Sequence, residues 1–287
     1  MSSYRFCRTD DIALLVDALN CCWSPYVPDE PPMTPAAFKR SIRDRQVWCS
    51  SCMVAFSDAD PIGVLIGAKR PSGTLVHTIA VRPDHRRLGH GRHLLTSLGS
   101  KLAILGPPRI VAEVPETLTA ACELFRSSGF VQEAVLTDYV FERDENDARD
   151  VDRMSGDRTG RFLIPVTVDD LAANGLPGEI HPQVCWERSV EALTARKDDI
   201  TGLAVASDER IEAYILHVNG EILSLRGVVE DDGVRLTQLL AGLRARGLRR
   251  FRFPKVHPAE ISSELLETLG FRPAGTHLLY AATARSD

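Results

Sequence analysis

The chain has 287 residues, 44% of them apolar and 25% charged, with 39 acidic side chains against 34 basic ones and a formal charge of −5. Those values suit a globular chain of about two domains and exclude nucleic acid as the main partner, because phosphate-backbone binding needs a broad basic face. No charged leader with an apolar stretch opens the chain and no apolar run approaches the roughly 20 residues of a membrane span, so a cytoplasmic protein with no membrane partner is expected.

From the N-terminus, helices are expected near 9–21 and 34–44, the second opened by Thr34-Pro35, an N-cap and first-turn pair. A hairpin follows over 45–70. Within it Cys49 and Cys52 resemble half a zinc site, but on a strand they point to opposite faces and no second Cys/His pair is suitably spaced, so no metal is expected. The seven cysteines, an odd number, are read as unpaired thiols. Trp23 and Tyr26, after the first helix, either line a pocket or pack in the core. A strand over 75–82 leads into a basic turn, a helix with a Leu94, Leu95, Leu98, Leu102 stripe, a strand over 109–114, and a helix carrying Ala121, Leu124 and Phe125. A strand bearing Tyr139 ends this half.

The basic turn is the most informative stretch. In Arg86-Arg87-Leu88-Gly89-His90-Gly91-Arg92 the glycines allow close backbone approach, and the following helix begins with unpaired N–H groups and the positive end of its dipole. Three arginines add formal charge for a pyrophosphate or a 3′-phosphate. A Walker loop is excluded because Arg92-His93 stands where Lys-Ser/Thr is needed, and a Rossmann fingerprint because the third glycine is missing.

The segment resembles motif A of the GNAT (GCN5-related N-acetyltransferase) superfamily, Gln/Arg-x-x-Gly-x-Gly/Ala after a strand ending near V-x-P: Arg86, Gly89 and Gly91 match, after Val81-Arg82-Pro83. The resemblance continues through Ala121, Leu124, Phe125, Gly129 and Phe130, with Leu118 where the family often has Asn and Phe125 where it often has a Tyr that protonates the departing thiolate. It covers about the first 143 residues. Residues 144–160, rich in Asp, Arg and Gly, read as a linker. Beyond them the order repeats: a helix near 183–195, strands over 200–207, 211–218 and 221–229, a Leu236, Leu239, Leu240, Leu243 stripe, and Leu269-Gly270-Phe271 echoing Ser128-Gly129-Phe130. In place of the basic turn stand Glu230, Asp231 and Asp232, and a carboxylate about 4 Å from a phosphate costs about 4 kcal/mol at an effective dielectric near 20. The expected fold is therefore α/β, two tandem GNAT-like domains, each a twisted mixed sheet flanked by helices: an intact domain over 1–143, the linker 144–160, and a degenerate copy over 161–287 that lacks the phosphate loop.

The resemblance implies acetyl-CoA or another acyl-CoA as co-substrate, held by the backbone of Ile79, Ala80 and Val81 along its pantetheine arm, by Arg86, Arg87, Leu88, Gly89, His90, Gly91 and Arg92 at its phosphates, and by Phe125 near the thioester. An amine would attack directly, without an acyl-enzyme. The base is expected where the strands over 75–82 and 109–114 splay. Glu113 and His77 are the candidates, each with an ordinary structural role as the alternative. With Phe125 in the tyrosine position, the thiolate's proton comes from Tyr139 or from water, or the domain binds a cofactor without chemistry. The expected function is acyl transfer from acyl-CoA to a small-molecule amine by a monomer or homodimer. The alternatives are an acyl carrier protein as donor, or a non-catalytic acyl-CoA sensor or scaffold.

Overall fold

In a computed structural model of the chain, residues 2–142, 162–176 and 184–284 are described, and the expected linker 144–160 lies outside them. The residues fall into two compact units, Met1–Ala134 with Leu278–Asp287, and Val135–His277. This differs from a contiguous division at 143 and 161. The strand that ends the first half crosses into the second unit at Val135, and the last residues of the chain complete the first unit.

The first unit opens with a strand absent from the sequence reading, β1 (Ser2–Phe6), which pairs antiparallel with β2 (Met53–Ser57). Its short, half-exposed alternation is too weak a pattern to stand out before pairing supplies its partner. Helix α1 (Ile12–Cys22) buries Leu15, Val16, Ala18, Leu19 and Cys22, and α2 (Pro35–Arg45) begins as expected, with Thr34 Oγ1 accepting from Ala37 N–H. The expected hairpin is shorter than 45–70. Residues 49–51 form a 3₁₀ turn, so Cys49 and Cys52 do not alternate on a strand, and both are buried beside Cys7 in the cluster under α1 and α2. Burial pushes the Cys7 thiol up to about 12, which suits inert core thiols.

Strand β3 (Asp60–Arg70) pairs antiparallel with β4 (Gly73–Val81), which runs parallel to β5 (Arg109–Pro115). Helix α3 (His90–Leu105) presents the expected stripe of Leu94, Leu95, Leu98 and Leu102 to one sheet face, joined by α4 (Thr119–Ser127). The opposite face is covered by α1 and α2. The strand order is β1-β2-β3-β4-β5, followed by β12 (Arg272–Thr283), whose residues from Leu278 belong to this unit. The Ala284 N–H donates to the Pro108 carbonyl at 2.6 Å beside the start of β5.

The second unit takes residues from Val135 of β6 (Val131–Glu142), then β7 (Phe162–Val166), α5 (Val168–Ala173), α6 (Val190–Ala195), β8 (Thr201–Ala206), β9 (Ile211–Val218), β10 (Glu221–Gly227), α7 (Val234–Ala245), β11 (Arg250–Val256) and α8 (Ser263–Thr268). Its strand order is β6-β11-β10-β9-β8-β7. The expected leucines of α7 are all buried, together with Phe251 and Phe253 of β11. Each unit is thus a mixed sheet flanked by helices. Among the described residues no helix is long and apolar enough to cross a membrane.

Candidate functional site

The β4–β5 ladder pairs only Thr74 with Ile110 and Leu75 with Val111, so the two strands part beyond those residues. On the other side, β4 stays paired to β3 up to Val81, with one interruption: Val76 faces Gly67 and Thr78 faces Ile66, which leaves His77 as the extra residue of a bulge. Arg82 N–H bonds the Ile62 carbonyl at 2.9 Å, and Ala80 and Thr78 lie opposite Val64 and Ile66. The antiparallel alternation therefore turns the peptide groups of Ile79 and Val81 toward the gap and those of Ala80 toward β3. The Ala80 side chain is buried in the α1 cluster.

At the end of β4, Arg82 is locally neutralised by two hydrogen bonds to Asp84, at 2.8 and 2.6 Å. These bonds, with His85 beside it at 2.9 Å, hold the Asp84 carboxyl well below the usual carboxylate range. The turn then uses two left-handed residues, Arg87 (φ 62°) and Gly89 (φ 87°), around Leu88. Left-handed residues in a turn of this kind are what let successive N–H groups converge on one side, the arrangement that receives an anion. Gly89 is the N-cap of α3 without a side-chain cap, so the first-turn amides are presented at the positive end of the 16-residue helix. Arg86, Arg87, Leu88 and Arg92 are exposed around them. The sixth member, Gly91, is a glycine for a different reason: an added Cβ would lie 3.0 Å from Leu124 Cδ2 of α4. His90 is buried, and its Nδ1 is 2.6 Å from the Tyr4 hydroxyl. Desolvation, with His85 and His93 nearby, lowers its pKa and keeps it neutral.

These features fit a pyrophosphate-bearing acyl-CoA. The turn and the helix start match its phosphates, and the gap-facing peptide groups of Ile79 and Val81, the Val81 carbonyl already accepting from the Tyr26 hydroxyl, match an extended amide-containing arm.

The expected catalytic groups separate. Glu113 lies on β5 past the last paired residue and is half-buried, on the face opposite Ile110, Ala112 and Val114. His77 projects to the α2 side, where Arg45 Nη1 lies 2.7 Å from its Nε2 and Thr78 Oγ1 lies 2.8 Å from its Nδ1. Tyr139 is placed in the core of the second unit, donating to Ser263 Oγ at 2.9 Å. Phe125 is 1% exposed, packed edge-on to Phe130 at 5.1 Å and stacked with Tyr280 at 5.9 Å. Without a hydroxyl to solvate, its ring joins the core. Sequence reading missed what touches the cradle from a distance. Tyr26, left open between pocket and core, is 37% exposed and reaches both Val81 and Arg86, while Tyr4 supports His90.

The corresponding corner of the second unit holds its own anion. The Asp231 carboxylate accepts from Gly233 N–H at 3.2 Å, Arg235 N–H at 2.9 Å and Arg235 Nη1 at 2.7 Å, and Arg235 Nε donates to Glu212 at 2.6 Å. Burial pushes Asp231 up, but the Arg235 amide and guanidinium and the Gly233 amide outweigh it and hold the carboxyl below its usual range. Here too a glycine N-cap, Gly233 at φ 84°, starts the helix, so the geometry of the turn persists with an internal carboxylate at the helix start. Among the described residues no group of three or more His, Cys, Asp or Glu is placed to hold a metal.

Residues 12–130 match the model of the acetyltransferase (GNAT) family. No curated protein matches the chain. Among solved structures, a tandem GNAT protein from the clavulanic acid biosynthesis pathway is similar over 100% of both chains, with 16% identity and a TM-score of 0.67. A GCN5-related N-acetyltransferase from Sphaerobacter thermophilus is similar over 99% of this chain and 96% of that one, with 14% identity and a TM-score of 0.65. One from Anabaena variabilis covers 99% and 73%, with 12% identity and a TM-score of 0.62. At these identities the likeness shows the tandem GNAT fold.

Proposed function

We propose that this chain, whose residues 12–130 match the model of the acetyltransferase (GNAT) family, moves an acetyl or short acyl group from acyl-CoA to the amine of a small molecule, by direct attack in a ternary complex. The observation that carries this reading is the continuity of the gap and the cradle: β4 leaves β5 after Leu75, turns the Ile79 and Val81 peptide groups into the opening, and delivers the chain to the uncapped start of α3.

Acyl-CoA supplies the thioester. The amides of the turn and the start of α3, with Arg86, Arg87 and Arg92, hold its phosphates. Ile79 N–H faces the gap as the donor for the acyl carbonyl oxygen, where negative charge develops. Glu113 takes the proton of the incoming ammonium. As the amide forms, its nitrogen sheds a second proton, which reaches the leaving thiolate through water, since Phe125 offers no proton and the Tyr139 hydroxyl is donated to Ser263. Three exposed arginines around one turn favour a donor carrying the full set of CoA phosphates over a carrier-protein arm. With Asp231 at the start of α7, one cofactor per chain is the expected stoichiometry.

The test is calorimetric titration of acetyl-CoA and CoA into the protein and into a Leu88→Asp variant. Leu88 is 68% exposed, so the substitution adds a carboxylate to the cradle without disturbing packing. One micromolar site per chain, weakened at least about tenfold in the variant, is expected. Absence of binding to the unaltered protein would overturn the acyl-CoA reading.

A further inference from the structure

Tyr26 ends the 3₁₀ turn Ser24–Tyr26 that follows α1, and it touches two separate parts of the cradle. Its hydroxyl donates to the Val81 carbonyl at 2.8 Å, on the edge of β4 that faces the gap. Its ring carries the Arg86 guanidinium, with Cζ 4.2 Å from the ring centroid. Trp23 stacks with the same ring at 5.9 Å and an interplanar angle of 22°. Trp23 packs against the cluster under α1 and α2, whereas Tyr26 is 37% exposed. Simple core packing therefore does not account for where Tyr26 sits.

We propose that Tyr26 is a positioning residue for the cofactor cradle, holding the Arg86 guanidinium at the edge of the β4–β5 gap where the phosphate end of the CoA arm passes. The inference rests on the acyl-CoA reading and adds to it a residue that the glycine-rich turn does not contain. An arginine on an exposed turn has much rotamer freedom to lose when it grips a ligand. Stacking on an aromatic face orders the guanidinium beforehand and leaves its in-plane N–H donors directed away from the ring, in the geometry that meets a phosphate. The hydroxyl bond to Val81 ties that platform to the strand that lines the gap. The turn after α1 and the phosphate turn after β4 are thereby joined through one side chain.

Two substitutions separate this from a covering role. Tyr26→Phe keeps the π face, and Tyr26→Leu keeps apolar bulk beside Trp23 but loses both the π face and the hydroxyl. Dissociation constants for CoA are measured for each variant, alone and combined with Arg86→Ala, with melting temperatures confirming that the variants fold. Tyr26→Leu is expected to weaken CoA about fivefold, and Tyr26→Phe less than about twofold. In the Arg86→Ala background Tyr26→Leu is expected to add nothing, since the group it positions is gone. If Tyr26→Leu binds CoA as the unaltered protein does, or if its loss is undiminished when Arg86 is absent, the inference fails while the acyl-CoA reading stands. No binding of CoA to the unaltered protein overturns both.

Discussion

The Arg45 guanidinium donates to His77 Nε2 at 2.7 Å. A guanidinium has no acceptor, so Nε2 carries the lone pair and the ring proton sits on Nδ1, facing Thr78 Oγ1 at 2.8 Å. The lone pair that a base would use is thus held by a cation, and the bond would have to break before His77 could take a proton. Glu113, on the diverging part of β5, carries the proposed role. Glu113→Gln is expected to lower kcat by about 100-fold or more with CoA affinity unchanged, and His77→Ala by less than about tenfold. Steady-state kinetics beside calorimetry checks this, and the reverse ordering would move the base to His77.

Phe125→Tyr adds a hydroxyl to a ring that is 1% exposed and packed between Phe130 and Tyr280. Tyr280 stacked on it is 0% exposed. A hydroxyl buried there is expected to cost about 1–3 kcal/mol in urea unfolding and to leave kcat unimproved. A variant of equal stability and higher kcat would show that residue 125 reaches the thioester.

Tyr139→Phe removes one buried hydrogen bond, to Ser263. A loss of about 0.5–1.5 kcal/mol with kcat intact is expected. A large fall in kcat at unchanged stability would assign Tyr139 to the chemistry.

Arg188 is 3% exposed. It pairs with Glu260 through Nε at 2.8 Å and Nη2 at 2.8 Å, and it also donates to the carbonyls of Pro254 and Lys255 at the β11 bulge. Arg188→Ala leaves a half-buried carboxylate and two carbonyls without this donor. It is expected to destabilise the fold by about 3–5 kcal/mol, read from urea unfolding curves. A loss below 1 kcal/mol would mean that water replaces the guanidinium.

His217 of β9 is 5% exposed, and neither ring nitrogen has a hydrogen-bond partner. Desolvation lowers its folded pKa below the ordinary histidine value. The unfolded chain therefore binds a proton first as pH falls, and stability is lost from about pH 6.5 downward until the lowered folded value is reached. Melting temperatures between pH 5 and 8 should fall more gently on the acid side in His217→Leu than in the unaltered protein. Parallel curves would assign the acid sensitivity to other groups, such as the similarly lowered His90.

The features legible in the sequence are those whose signals are local. Thr34-Pro35 opens α2, the leucine stripes place α3 and α7 over their sheets, and Gly89 marks the left-handed N-cap of α3. The charge contrast between Arg86-Arg87 and Asp231-Asp232 is equally local, and in the second unit Asp231 does occupy the helix start. Each of these depends on residues within one or two turns of one another.

What tertiary structure decided are the contacts set by strand register and by long-range packing. The bulge that gives His77 its place exists only once β4 is paired to β3, and Ala80 is turned from the gap by the same alternation. Tyr26 finds Val81 across 55 residues, and Tyr4 finds His90 across 86. Phe125 is sealed by Tyr280, contributed by a segment at the far end of the chain that completes the first unit. A sequence shows helical and strand periods directly, but one step of strand register changes which face a side chain occupies, and only the assembled sheet determines that step.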